Sequence, residues 1–104
     1  MWAQLIKVRL KSGEDERLEW VYEQLRATEQ EGSGLVRSTL MRNQNDPNAL
    51  YMLVVFESEE AARARESDER RQSGLEAVRA LMAETFDGAP EFTDFDVIAE
   101  TIGE

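Results

Sequence analysis

Two phenols and a scatter of arginines are the side chains of this sequence with the most chemistry to offer. Tyr22 and Tyr51 are its only tyrosines. A phenol beside a substrate can hydrogen-bond a carbonyl or relay a proton, and one on an apolar face also serves as core packing once its hydroxyl finds a partner. Both tyrosines lie on apolar faces, and Tyr51 sits in the most apolar stretch of the chain. Arg37 and Arg42 fall in one extended segment and, by period two, on opposite faces of it. An arginine turned to an interior needs a carboxylate or a bound anion. Glu57, Asp94 and Asp96 offer an ordinary salt bridge. The sharper alternative is an arginine that steadies an oxyanion as it develops.

The remaining charged groups read more plainly. Arg63, Arg65, Arg70 and Arg71 are interleaved with acids, and Glu59 precedes Arg63 as Glu66 precedes Arg70 at the i,i+4 spacing that favours helical ion pairs. That pattern predicts a solvated helix face, not an anion site. Asp94 and Asp96 share one face of a late strand and mark a wet edge as readily as a reactive pair. The chain has no histidine and no cysteine, which removes the commonest general base, the thiol nucleophile and the usual metal and haem ligands. No phosphate-binding glycine loop, nucleophile elbow or metal-ligand spacing is present, so neither a metal nor a cofactor is expected.

These residues need elements to hold them. Leu50-Tyr51-Met52-Leu53-Val54-Val55-Phe56 is too short for a free-standing helix and is apolar on both of its alternating faces, which predicts a central strand covered on both sides. Trp2 to Leu10 forms an earlier strand, with Trp2, Ile6, Val8 and Leu10 on one face. Ser12 is placed to cap a helix over about 14–30, where Leu18, Val21, Tyr22 and Leu25 make an apolar stripe. Trp20 stands off that stripe and reads as a flanking aromatic or a pocket wall. Leu35 to Arg42 is a second strand, joined to the central one by a six-residue turn, Asn43 to Asn48. Ser58 caps a helix whose only apolar residues are Ala61, Ala62 and Ala64. Ser73-Gly74 restarts a further helix carrying Leu75, Val78, Leu81, Met82 and Phe86, and Phe92 to Ile98 closes the series as a strand. Alanines on the middle helix either let it approach the sheet closely or leave a pocket walled by Phe86, Met82, Tyr22 and Phe56.

The order strand, helix, strand, strand, helix, helix, strand matches a ferredoxin-like split βαβ arrangement, a four-stranded antiparallel sheet with helices on one face. The 104 residues suit one domain over residues 1–100 with a loose tail over 101–104. Net charge is -10, a surface that repels nucleic acid and anionic membranes. No stretch is long and apolar enough to span a bilayer, and a cytoplasmic protein is the expectation. If helices cover one sheet face, the second apolar face predicts a homodimer, sheet against sheet.

Within this order stand a glycine before the second strand, Gly34, and Leu40-Met41-Arg42 running into Asp46-Pro47-Asn48. Phe56-Glu57-Ser58-Glu59-Glu60-Ala61 leads into the middle helix, and Ala89-Pro90-Glu91-Phe92 into the last strand. With these residues in place the chain resembles the dimeric α+β barrel superfamily, and within it the antibiotic-biosynthesis-monooxygenase-like domains. The resemblance implies a homodimer holding a small hydrophobic or aromatic molecule between sheet and helices. It also implies cofactor-independent oxygenation, with Tyr51 or Tyr22 handling the proton, Arg37 stabilising the anion and Trp20 packing beside it. Where such domains often carry Ala-His on the middle helix, this chain has Ala64-Arg65, and the lack of histidine argues against haem degradation. Phe56, Ala61, Ala64, Arg65, Met82 and Phe86 complete the expected pocket. The same scaffold also admits a non-catalytic binding or structural dimer, and an isomerase.

Overall fold

A computed structural model describes residues 1–103 and contains strands β1 (Trp2–Arg9), β2 (Leu35–Asn43), β3 (Asp46–Phe56) and β4 (Glu91–Asp96), with helices α1 (Asp15–Arg26), α2 (Glu59–Glu66) and α3 (Glu69–Thr85). The strands form one antiparallel sheet in the order β2-β3-β1-β4. This is the ferredoxin-like α+β arrangement that the pattern of elements predicts.

Strand register decides which side chains can meet. Trp2, Gln4, Ile6 and Val8 of β1 pair with Phe56, Val54, Met52 and Leu50 of β3, and this set faces the helices. Ala3, Leu5 and Lys7 pair with Val55, Leu53 and Tyr51, and alternation turns that set to the outer face. The core follows the first set. Leu50 and Val21 are fully buried, and Trp2, Val54, Phe56 and Ala62 form a cluster with Ile6, Leu35 and Met52 against it. The Trp2 and Phe56 rings lie 6.2 Å apart at a tilt. Arg63 stands 5.1 Å over Trp2 and Arg65 5.3 Å over Phe56, so their stems and charges cap the aromatic pair.

Several boundaries differ from the sequence expectation for local reasons. Glu14, not Ser12, precedes α1 and makes no side-chain cap, because Gly13 at φ 85 turns the chain after Ser12. The helix ends at Arg26 instead of near 30, and the Thr28 hydroxyl donates to the Leu25 carbonyl at 2.7 Å. The hairpin turn is short: Asn43 pairs with Asp46, and the Asn43 side chain accepts the Asn45 amide at 2.8 Å. Asp46-Pro47-Asn48 thus belongs to β3, with a register shift beside it that tolerates the proline. The break between the last two helices falls at Ser67-Asp68, where Asp68 caps α3 by accepting the Arg70 amide. Gly74 lies inside α3. A Cβ there would come 3.2 Å from the Thr28 methyl, so this glycine serves a close helix approach, not a helix start. β4 is shorter than the predicted strand and ends at Asp96.

Gly34 has a conformational and a steric reason to be glycine. Its φ is +82, and a Cβ would lie 2.6 Å from that of Ala61. The Gly34 carbonyl also accepts the Glu57 amide at 2.9 Å. The turn into β2 and the first turn of α2 are pinned together there. Gly34→Ala is expected to lower unfolding free energy by at least about 2 kcal/mol, from left-handed strain and overlap combined. An unchanged urea midpoint would contradict this.

Candidate functional site

The helix layer leaves a cavity of about 530 Å³ between α1, α3 and the sheet, a size suited to a small organic ligand. Its floor is the helix-side register of the central strands, with Ile6, Val8, Met52 and Val54. Leu18, Tyr22 and Leu25 come from α1, and Leu75, Met82 and Phe86 from α3 or its end. Phe92 on the edge strand lies at the wall and is 58% exposed, which leaves the space open on that side.

Polar groups enter at few points. The Tyr22 hydroxyl donates to the Ser38 carbonyl at 3.1 Å, which satisfies it without burying it completely. Arg65, Arg71 and Arg79 line the same space with Glu66. Arg65 is held by Glu29 through paired hydrogen bonds, its Nε at 2.9 Å from Oε2. Arg71 is only 6% exposed. It reaches Glu29 at 3.8 Å and the Arg65 carbonyl at 3.4 Å, and its Nε has no hydrogen-bond partner. Burial, and then the nearby Arg65 charge, push its pKa down.

Of the residues that sequence reasoning singled out, Tyr22, Arg65, Met82 and Phe86 meet at this cavity. Tyr51 and Arg37 do not join them. Tyr51 pairs with Lys7 on the outer face, with the Lys7 ammonium 6.0 Å from its ring. Arg37 pairs with Val55 on that same face and binds Glu100 at 2.6 Å, in place of the Glu57, Asp94 or Asp96 partners considered for it. Arg42 is on the helix side and binds Asp15 at 2.9 Å. Trp20 is 55% exposed in a groove between α1 and α3. Phe56 is sealed in the core under Arg65, Ala61 abuts Gly34, and Ala64 is exposed. The alanines of α2 therefore allow close approach to β3, and the cavity opens under α3 instead.

The residue that sequence reasoning missed is Arg71. Its place in a run of arginines interleaved with acids argued for solvent, yet α3 begins at Glu69, and Arg71, Leu75, Arg79 and Met82 fall along one side of that helix. A helix drawn from Glu69 would have shown two arginines in that row. Among the described residues, no group of three or more potential metal ligands comes together, and no helix is long and apolar enough to cross a membrane.

Asp94 on β4 accepts from the Gln4 amide at 3.0 Å and from Arg63 of α2 at 3.2 Å.

Comparisons with known proteins come to the same scaffold. The family model described as antibiotic biosynthesis monooxygenase matches residues 1–77. The chain is similar to SnoaB, a cofactor-independent oxygenase from Streptomyces nogalater, at 19% identity and a TM-score of 0.72, covering 99% of this chain and 97% of that one. It is also similar to Rv0793 from Mycobacterium tuberculosis, at 14% identity and a TM-score of 0.72, covering 97% and 98%. No curated protein sequence matches significantly.

The Gln4 amide first, and the Arg63 guanidinium beside it, hold the Asp94 carboxyl below its ordinary value of 3.8. A depressed folded value means the stabilisation is present above 3.8 and is lost as pH falls through the folded value. Asp94→Asn should therefore melt below the wild type at pH 7, with the gap closing under pH 3.8. A gap that is constant down to acid pH would contradict this.

Proposed function

The chain belongs to the antibiotic biosynthesis monooxygenase family, and on that premise we propose that it oxygenates a small hydrophobic or aromatic molecule held between α3 and the sheet. The observation that carries the reading is the cavity of about 530 Å³, apolar over most of its wall with a tyrosine hydroxyl and arginines set into it. The substrate class that fits is an acidic CH₂ or enol flanked by aromatic rings, as in an anthrone. Loss of one proton gives a carbanion delocalised onto the neighbouring oxygen. That carbanion supplies the electrons to O₂, a C–O bond forms, and the peroxide anion takes up a proton. Loss of the second C–H proton with cleavage of the O–O bond then releases water and leaves a carbonyl where the CH₂ stood, with one oxygen atom in the product and the other in water.

The protein's part in such a reaction is electrostatic. The Tyr22 hydroxyl is a donor at the wall, and a turn away from the Ser38 carbonyl would aim it at the oxygen on which charge grows. The wall arginines raise the local potential in a chain of net charge -10, which lowers the substrate's own pKa. An apolar setting strengthens both effects.

A homodimer through the outer sheet face is part of the reading. That face carries Leu5, Tyr51 and Leu53, with Met41 and Phe95 substantially exposed at its sides. The segment 97–103 crosses part of it beside Ala3 and Val55, and leaves Ile98 and Ile102 largely in solvent. A second copy would remove this apolar surface from water.

Oxygen uptake with a panel of anthrones and quinols tests the chemistry. Tyr22→Phe should lower kcat roughly 100-fold, as loss of one aligned donor does, while Tyr51→Phe on the far face should leave it unchanged. Equal rates for Tyr22→Phe and wild type would remove that tyrosine from the reaction. Sedimentation should show a dimer at micromolar concentration and a monomer for Leu53→Lys; a wild-type monomer would refute the interface.

A further inference from the structure

A guanidinium buried without a full set of partners is costly in a protein interior, because desolvation of the charge is not repaid by hydrogen bonds. Arg71 is such a group: nearly buried, its Nε unpartnered, its other nitrogens reaching only the Arg65 carbonyl at 3.4 Å and Glu29 at 3.8 Å. Glu29 and Asp68 offset its charge only in part, because the Glu29 carboxylate is already engaged by both Nε and Nη2 of Arg65. Arg79, two turns along α3 and itself exposed, adds a solvent-screened positive charge to the same wall. Against them the cavity lining sets only Glu66, which is exposed and binds Arg63 at 3.1 Å. The cavity thus presents cations to its occupant while the chain as a whole is strongly acidic.

We infer that the cavity takes an aromatic or other apolar acid, whose carboxylate is bound by Arg71 while its hydrocarbon body lies on Met52, Leu75 and Met82. The edge of a guanidinium offers parallel N–H donors that match the two oxygens of a carboxylate. The long contacts of Arg71 leave its fork free to turn into that alignment. The carboxylate is an anchor distinct from the oxygen on which reaction charge would grow, so one wall orients the molecule and Tyr22 addresses the reacting end. This assignment rests on the cavity being the substrate site and adds the class of substrate it selects.

Titration of the full chain at pH 7 with anthracene-9-carboxylate and with its neutral carboxamide tests the anchor, followed by calorimetry. The acid should bind at least 10-fold tighter than the amide, a difference of about 1.4 kcal/mol. Arg71→Met should abolish that preference and bind the amide as the wild type does. It should also melt, ligand-free, at or above the wild-type Tm, since the substitution removes a buried charge whose one carboxylate contact is long and shared with Arg65. Equal wild-type binding of acid and amide, or no binding of either, would overturn the inference without recourse to any variant. So would a preference that survives in Arg71→Met, or a Tm drop with loss of both ligands, which would make Arg71 a structural strut. Tighter binding of anthracene-9-phosphonate than of the carboxylate would overturn the carboxylate assignment. Turnover of neutral anthrones with no acid preference would sink this inference alone, whereas acid binding with no oxygen uptake would sink only the proposed chemistry.

Discussion

The helix layer meets the sheet at its two ends and stands off between them. At one end Gly34 lets α2 settle against the start of β2, and Trp2, Phe56 and Ala62 fill the space beneath. At the other, the exit of α3 is stitched to the end of β1. The Lys11 amide donates to the Thr85 carbonyl at 2.9 Å, the Asp87 amide to the Arg9 carbonyl at 2.7 Å, and Leu10 bridges to Phe86. The Lys11 ammonium adds a bond to the Ala83 carbonyl. The contacts at α2 and at the exit of α3 hold the helix layer against the two ends of the sheet, and the cavity lies between them.

That constraint also explains where the charges stand. Close-packed ground under α2 leaves Arg63 and Arg65 to cap the aromatic pair from above, each with its own carboxylate. Under α3 the sheet is farther away, so Arg71 can sit inside the layer with only part of its hydrogen-bonding capacity met. An interior cation of this kind costs stability in the empty protein and gains value when an anion arrives. The proposed oxygenation and the proposed acid anchor use the same asymmetry, an apolar floor from the sheet and a cationic wall from the helix.

Much of the scaffold was legible in the residues. The doubly apolar strand at Leu50–Phe56, the stripe Leu18/Val21/Tyr22/Leu25 and the order of elements all point to this fold, because hydrophobic periodicity records which faces are buried. The pocket was less legible. The alanines of α2 suggested open volume, but alanine is equally what a close approach requires, and Gly34 opposite Ala61 shows that it served the approach. Tyr51 drew notice because it lies on the doubly apolar strand, and Arg37 because an arginine facing an interior needs an anion, yet the pleat sends both to the outer face. Arg71 was hidden by helix phase: moving the break from Ser73 to Asp68 carries it from a presumed wet face to the cavity wall. Ser73 with Gly74 read as a helix start, whereas Asp68 caps α3 and Gly74 lies inside it, packed on Thr28.

The four methionines provide the most direct test of where this protein binds. Met52 and Met82 line the cavity, whereas Met41 lies on the outer face and Met1 at the exposed start of the chain. In a spectrum of ¹³C-methyl-methionine protein titrated with an anthrone or an anthracene acid, the Met52 and Met82 methyls should shift together while Met41 and Met1 stay in place. Shifts confined to Met41, or the absence of any shift at Met52 and Met82 under saturating ligand, would contradict a binding site between α3 and the sheet.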